Sequence, residues 1–161
     1  MMIDKNQAVI DYLITCPAIR DNPLFFNFAD EKDNNNQLTV RATETNIMQP
    51  FVDGSVSKRF SFNIYVYKSV AFNAVVKAEG YTDENVSDLV DVQAIIDWIT
   101  EQNEEKNFPN FGSSCIIDSI EATTDIPVLE GVNSKTQPTL AQYNVGINIE
   151  YIDISKSIWN K

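Results

Sequence analysis

The residues in this chain best suited to chemistry are carboxylates. Asp88 and Asp91 stand three apart, so on a helix they share a face one turn from each other. Such a pair can pass protons or hold Mg2+, although two acids on a helix face more often simply meet water. Asp30, Glu31 and Asp33 offer oxygen ligands for Ca2+. That run lacks the glycine and terminal glutamate of a calcium loop, and an ordinary acidic loop accounts for it. Cys115 has no base beside it in sequence, and the chain contains no histidine. The absence of histidine removes Ser-His-Asp and Cys-His systems, zinc-protease helices and most transition-metal sites. The five glycines, at 54, 80, 112, 131 and 146, match neither a phosphate-cradling loop nor the dinucleotide fingerprint. The expectation is no catalytic residue, no metal and no cofactor. An enzyme working with Asp, Glu and Tyr alone would need a deep pocket with two converging carboxylates.

Composition narrows the partners. A chain of 161 residues, 43% of them hydrophobic, suits one domain, residues 1–161, with a real core. Its 23 acidic against 12 basic residues give a net charge of -11. Such a surface repels nucleic-acid phosphates and anionic membranes and suits basic partners. No stretch approaches the ~20 apolar residues of a membrane span, and the first residues do not read as a signal peptide. A cytoplasmic site of synthesis is expected, with Cys16 and Cys115 as reduced, buried thiols.

The elements that would position these residues follow from periodicity. Residues 5–15 form a first helix, with Asp4 as N-cap, Gln7 reaching back to complete a capping box, and Pro17 as the stop. Residues 24–28 read as a short strand. Residues 37–49 and 56–68 read as two strands joined at Asp53-Gly54, a hairpin signal that places Ile47 opposite Phe60. Residues 69–80 are ambiguous. A second helix spans about 83–103, capped by Thr82 or Asp83, with Val86, Leu89, Val92, Gln93, Ile96 and Ile99 on one face and Asp88, Asp91 and Glu101 toward water. Residues 115–122 form a strand, 123–140 a long loop without periodicity, 142–154 the last strand, and 155–161 a short tail. Tyr143, Val145, Ile147, Ile149 and Tyr151 alternate with Gln142, Asn144, Gly146, Asn148 and Glu150, so that strand has one apolar and one wet face. The expected class is α+β: an antiparallel sheet with a long hairpin and two helices packed on one face.

Three features suit a subunit of a larger assembly. The hairpin strands exceed the usual ~5–6 residues and can project past the domain, with Phe51, Val52 and Asp53 at the tip and Arg59 along the strand. The loop at 123–140 carries Ile126, Val128, Leu129 and Val132, which cost exposure unless they dock. Ile158 and Trp159 end the chain, and Trp is enriched at interfaces. These residues are the candidate subunit-interface positions. Docking within the same chain is the competing reading for each.

The order of elements resembles the tail-terminator, or tail-completion, proteins of long-tailed bacteriophages. The likeness is to small tail-joining proteins of phages and prophages of Gram-positive bacteria. It is carried by Asn22-Pro23-Leu24-Phe25-Phe26-Asn27-Phe28, Asp53-Gly54-Ser55-Val56-Ser57-Lys58-Arg59-Phe60, Asp97-Trp98-Ile99-Thr100-Glu101-Gln102-Asn103 and Thr123-Thr124-Asp125-Ile126-Pro127-Val128-Leu129-Glu130-Gly131-Val132. The resemblance implies a virion protein, assembled in the host cytoplasm, that forms a hexameric ring on the tail tube. It would stop tube polymerisation and join the tail to head connector proteins, while DNA slides through an acidic channel without sequence-specific binding. The alternative is an acidic module or inhibitor that binds a basic partner.

Overall fold

The fold was obtained as a computed structural model. It describes the backbone of residues 4–20, 24–26, 37–69, 84–133 and 140–159, and the side chains of 4–20, 47–68, 90–132 and 141–159. In chain order the elements are α1 (Lys5–Leu13), α2 (Pro17–Arg20), β1 (Leu24–Phe26), β2 (Gln37–Pro50), β3 (Val56–Ser69), α3 (Glu84–Glu105), β4 (Cys115–Ala122), β5 (Val128–Asn133) and β6 (Leu140–Asp153). The acidic run at Asp30, Glu31 and Asp33, the ambiguous stretch at 70–80, the expected caps Thr82 and Asp83, and the side chains of Val86, Asp88 and Leu89 lie outside the described residues.

β3 and β6 form the spine. They pair antiparallel over fourteen residues each, from Val56 opposite Asp153 to Ser69 opposite Leu140. Their alternation sends Phe60, Phe62, Ile64 and Val66, with Tyr143, Val145, Ile147, Ile149 and Tyr151, to one face, where each is 6% exposed or less. The sheet order is β1-β2-β3-β6-β4, and β5 pairs with the start of β6. β1 runs parallel to β2, a departure from the all-antiparallel expectation.

The helices cover the apolar face. Val9 and Leu13 of α1, Ile19 of α2, and Val92, Ile95, Ile96 and Ile99 of α3 join the sheet residues in one core. Burying each of these aliphatic side chains contributes about 1.5–3 kcal/mol before chain entropy is counted. Among the described residues there are three helices rather than the expected two. Pro17 opens α2 as well as ending what precedes it, since a proline's missing N–H does no harm in a first helical turn. Asp4 Oδ1 accepts from the Asn6 N–H at 2.9 Å, as an N-cap should. Gln7 does not reach back: its Nε2 donates to Asp11 Oδ1 at 2.8 Å, one turn ahead.

Two further readings are corrected. Asp53-Gly54 is not a two-residue turn. The chain turns over residues 51–55, with the Phe51 N–H donating to Ser55 O at 2.9 Å and the Gly54 N–H to Phe51 O at 3.1 Å. Only Gly54 has positive φ there, at 93°. The longer turn, with bulges between Ile47 and Gln49 and between Ala42 and Glu44, pairs Phe60 with Thr45 and Ile47 with Lys58. Ile47 is consequently 68% exposed. The loop expected at 123–140 contains strand β5, whose residues pair with β6 from Val128 opposite Asn144 to Asn133 opposite Leu140. A bulge between Leu129 and Gly131 hides its alternation from a sequence reading.

Candidate assembly surfaces at the two ends of the sheet

Asp53 joins the hairpin turn to the C-terminal segment. Its Oδ1 accepts from the Ser55 hydroxyl at 2.6 Å and the Ser55 N–H at 3.2 Å, and its Oδ2 accepts from the Ser157 hydroxyl at 2.8 Å. Its backbone carbonyl takes the Ile158 N–H at 2.7 Å. Ser55 and Ser157 are buried, at 5% and 8% exposure. These hydroxyls stabilise the ionised form, so hydrogen bonds from Ser55 and then Ser157 hold the Asp53 carboxyl below the usual carboxylate range. Gly54 lets the two segments touch: a Cβ there would lie 2.4 Å from the Lys156 carbonyl oxygen.

Above this polar clasp stand the large apolar side chains. Val52 is fully exposed, Trp159 is 80% and Ile158 65% exposed, and Phe51 and Met48 are 40% and 47% exposed. Phe51, Val52, Asp53, Ile158 and Trp159, five of the ten sequence candidates, thus belong to one tip surface. Ile47 was missed because the assumed register turned it inward; Met48 also lies exposed at this end.

A second group lies toward the other end of β6. The connection from β4 to β5 is pinned at Thr123, whose N–H donates to Gly146 O at 2.8 Å, and at Asp125, whose carbonyl accepts from Gln93 Nε2 at 3.0 Å. Gly146 admits this approach, since a Cβ there would sit 2.7 Å from Thr123 Oγ1. Ile126, Val128, Leu129 and Val132 project from this held segment and are 41–65% exposed. Glu130, at the bulge, accepts from Asn144 Nδ2 at 2.8 Å and Gln142 Nε2 at 3.2 Å.

Arg59 belongs to neither surface. It lies on the polar face of the sheet, with Nη2 donating to Glu150 Oε1 at 2.7 Å, beside the Ser61–Asn148 hydrogen bond at 2.7 Å.

The candidates for chemistry are differently placed. Asp91 is exposed and pairs with the buried ammonium of Lys68 at 3.3 Å. Cys16 is buried and Cys115 half-buried; neither is in a disulfide, and burial pushes both thiols up, toward the unreactive protonated form. No cluster of three or more potential metal ligands occurs among the described residues. Two depressions, of about 300 and 240 Å³, include Asp97 and Glu101 in the first and Glu121 and Asp125 in the second. All four acids are exposed, the condition of solvated carboxylates. No helix of the described residues is long and apolar enough to cross a membrane.

No model of a known protein family matches the chain, and no curated protein matches it either.

Proposed function

We propose that the protein is a structural subunit of a bacteriophage tail. It caps the tail tube as an oligomeric ring, stops tube polymerisation and joins the tail to head connector proteins. The observation that carries this reading is the tip surface. Apolar side chains of this size are left outside a core by a rigid clasp of hydrogen bonds, and such a patch marks a docking site for protein. The sequence resemblance supplies the assembly, and the mixed α+β architecture with its fourteen-residue strands is compatible with it. In this reading the virion is the protein's location. Net charge of -11 suits a channel through which DNA passes without adhering, and no residue is assigned to catalysis.

Labelled protein mixed with its tail tubes tests the proposal. Electron micrographs are expected to show label at tube ends alone; label along the walls, or none on tubes, contradicts it.

A second reading is an acidic module that binds a basic partner. It is favoured by the exposed carboxylates of Asp97, Glu101, Glu104 and Glu105 on α3 and Asp118 and Glu121 on β4. Tight binding to a basic protein that weakens steeply with salt, together with indifference to tube ends, selects this reading instead.

A further inference from the structure

β4 and β5 are two halves of one sheet edge. Both run antiparallel to β6 on the side away from β3, β4 against residues 147–153 and β5 against residues 140–144. Between them the chain places residues 123–127 opposite Val145 and Gly146 alone. The two halves are covered differently. Over β4 lies α3, whose Asn103 Oδ1 accepts from the Ile120 N–H at 3.1 Å. At the excursion Gln93 Nε2 holds the Asp125 carbonyl, and beyond it β5 packs on β6. Every residue from Val128 to Val132 is exposed. Leu129 and Val132 stand opposite Tyr143 and Ala141, on the face that the helices bury elsewhere, yet they are 54% and 52% exposed. No strand other than β6 pairs with β5 among the described residues. Glu130, the one charged residue of β5, is turned back across the sheet to Asn144 and Gln142. No Lys or Pro lies within the strand, so of the usual guards of an open edge only the bulge is present.

We propose that the free edge of β5 takes up, as an added strand, an extended basic segment of another protein. The proposal rests on the geometry of this edge and not on tube capping; to the acidic-module reading it adds the site and the form of the partner. An unpaired row of backbone N–H and C=O groups is matched by another extended backbone. Six residues give the row a length of about 20 Å. Leu129 and Val132 would be flanked by alternate side chains of the incoming strand, which favours apolar residues there. Charge selects among extended segments. Glu121, Asp125 and Glu130 are exposed along this stretch, and the Gln93 that holds Asp125 also donates to Asp97 Oδ1 at 3.0 Å, which brings a fourth carboxylate alongside. None of these four acids is in an ion pair among the described residues. The sequence from 107 to 133 carries neither Lys nor Arg; it is bracketed by Lys106 and by Lys135, which lies outside the described residues. On β3, across β6 from β5, Lys68 is buried and paired with Asp91 at 3.3 Å. An incoming Lys or Arg therefore meets carboxylates without a described cation of their own. A second copy is the poorer occupant, because its own β5 edge would set the same acids against these.

Short fluorescent peptides of alternating Val and Thr test strand addition: one with Lys at both ends, one with Glu at both ends, and a Lys-ended one N-methylated along its backbone. In anisotropy titrations of the full-length protein the Lys-ended peptide is expected to bind, the Glu-ended one to bind about tenfold more weakly, and the N-methylated one not to bind. The Lys-ended peptide is also expected to slow hydrogen exchange of the β5 amides. Leu129→Lys with Val132→Lys supplies the missing guards and is expected to weaken binding by about tenfold or more. Both positions are exposed, and a matching circular dichroism melt verifies folding. Glu121→Gln with Asp125→Asn leaves β5 itself unchanged and is expected to reduce the preference for Lys ends over Glu ends. Absence of binding, equal binding of the N-methylated peptide, or a Glu-ended peptide held as tightly as the Lys-ended one overturns the proposal. Salt-sensitive binding of a basic protein that both double variants leave unchanged also overturns it and leaves the acidic-module reading standing. Protection of β5 by the Lys-ended peptide in a protein that ignores tube ends upholds it and contradicts tube capping alone.

Discussion

At the residue scale the account rests on a few small groups that hold large ones outward. Asp53 and Gly54 build the clasp, and Trp159 and Val52 are what it displays. Gly54 combines a φ of 93° with a carbonyl 2.4 Å from any added Cβ, so Gly54→Ala must strain the turn or push the C-terminal segment away. The expected loss is about 1–3 kcal/mol in urea unfolding. A change indistinguishable from zero would mean that the two segments are not in contact.

Asp153 governs acid stability nearby. Burial by itself would raise its carboxyl. Hydrogen bonds from Ser155 and Lys58, the latter at 2.9 Å, outweigh burial and hold it down to about 2. Because this folded-state value lies below the ordinary ~3.9, the stabilisation is present above about pH 4 and is lost as pH falls toward 2. The melting temperature of the wild type should therefore drop more between pH 4 and pH 2 than that of Asp153→Asn. Parallel curves would show that this carboxylate is not linked to folding.

At the element scale, what alternation or helical spacing encodes was legible and what bulges encode was not. β6 and β3 announce themselves through Tyr143 to Tyr151 and Phe60 to Val66, because a strand buried on one face must repeat every second residue. α3 was legible for the corresponding reason, although Ile95, 2% exposed, was overlooked and Gln93 was given a core place it does not take. β5 stayed hidden because its bulge at Glu130 breaks the period and its apolar residues are exposed on both sides of it. The pairing of β1 parallel to β2 had no sequence signal, since three residues are too few to show direction. The hairpin register failed for a physical reason: Asp-Gly favours a two-residue turn in isolation, but here Asp53 is recruited by Ser55 and Ser157 and the turn lengthens. The spine and the display surface should then separate in energy. Ile147→Ala, at the centre of β6 with no exposure, is expected to cost about 2–5 kcal/mol. Val52→Ser with Trp159→Ser is expected to stay within about 0.5 kcal/mol per position while abolishing assembly. Equal destabilisation by both would place the tip residues in the core economy of the monomer.

At the scale of the whole molecule, the sequence named residues that the fold leaves exposed, without their grouping. Phe51, Val52, Asp53, Ile158 and Trp159 were read as interface candidates from two distant segments, and only the fold shows that Asp53 makes them one surface. Arg59 lies apart from both groups, and residue type alone could not show that Glu150 lies across the strand to receive it. The acidic run of residues 115–133, four acids with neither Lys nor Arg, was present in the composition, but only the fold places it along the edge made by β4 and β5. An acidic body with exposed apolar side chains at the hairpin tip and along β5 is suited to contact with other proteins.

In the proposed function, the exposed tip lets this protein end a tube of other subunits. The most direct measurement is the length distribution of tail tubes polymerised with increasing amounts of wild-type protein, beside the same series with Val52→Ser and Trp159→Ser combined. The account predicts that wild type shortens and narrows the distribution in proportion to its concentration, while the double variant leaves tubes as long as those grown alone. Tubes of the same length in both series would contradict it.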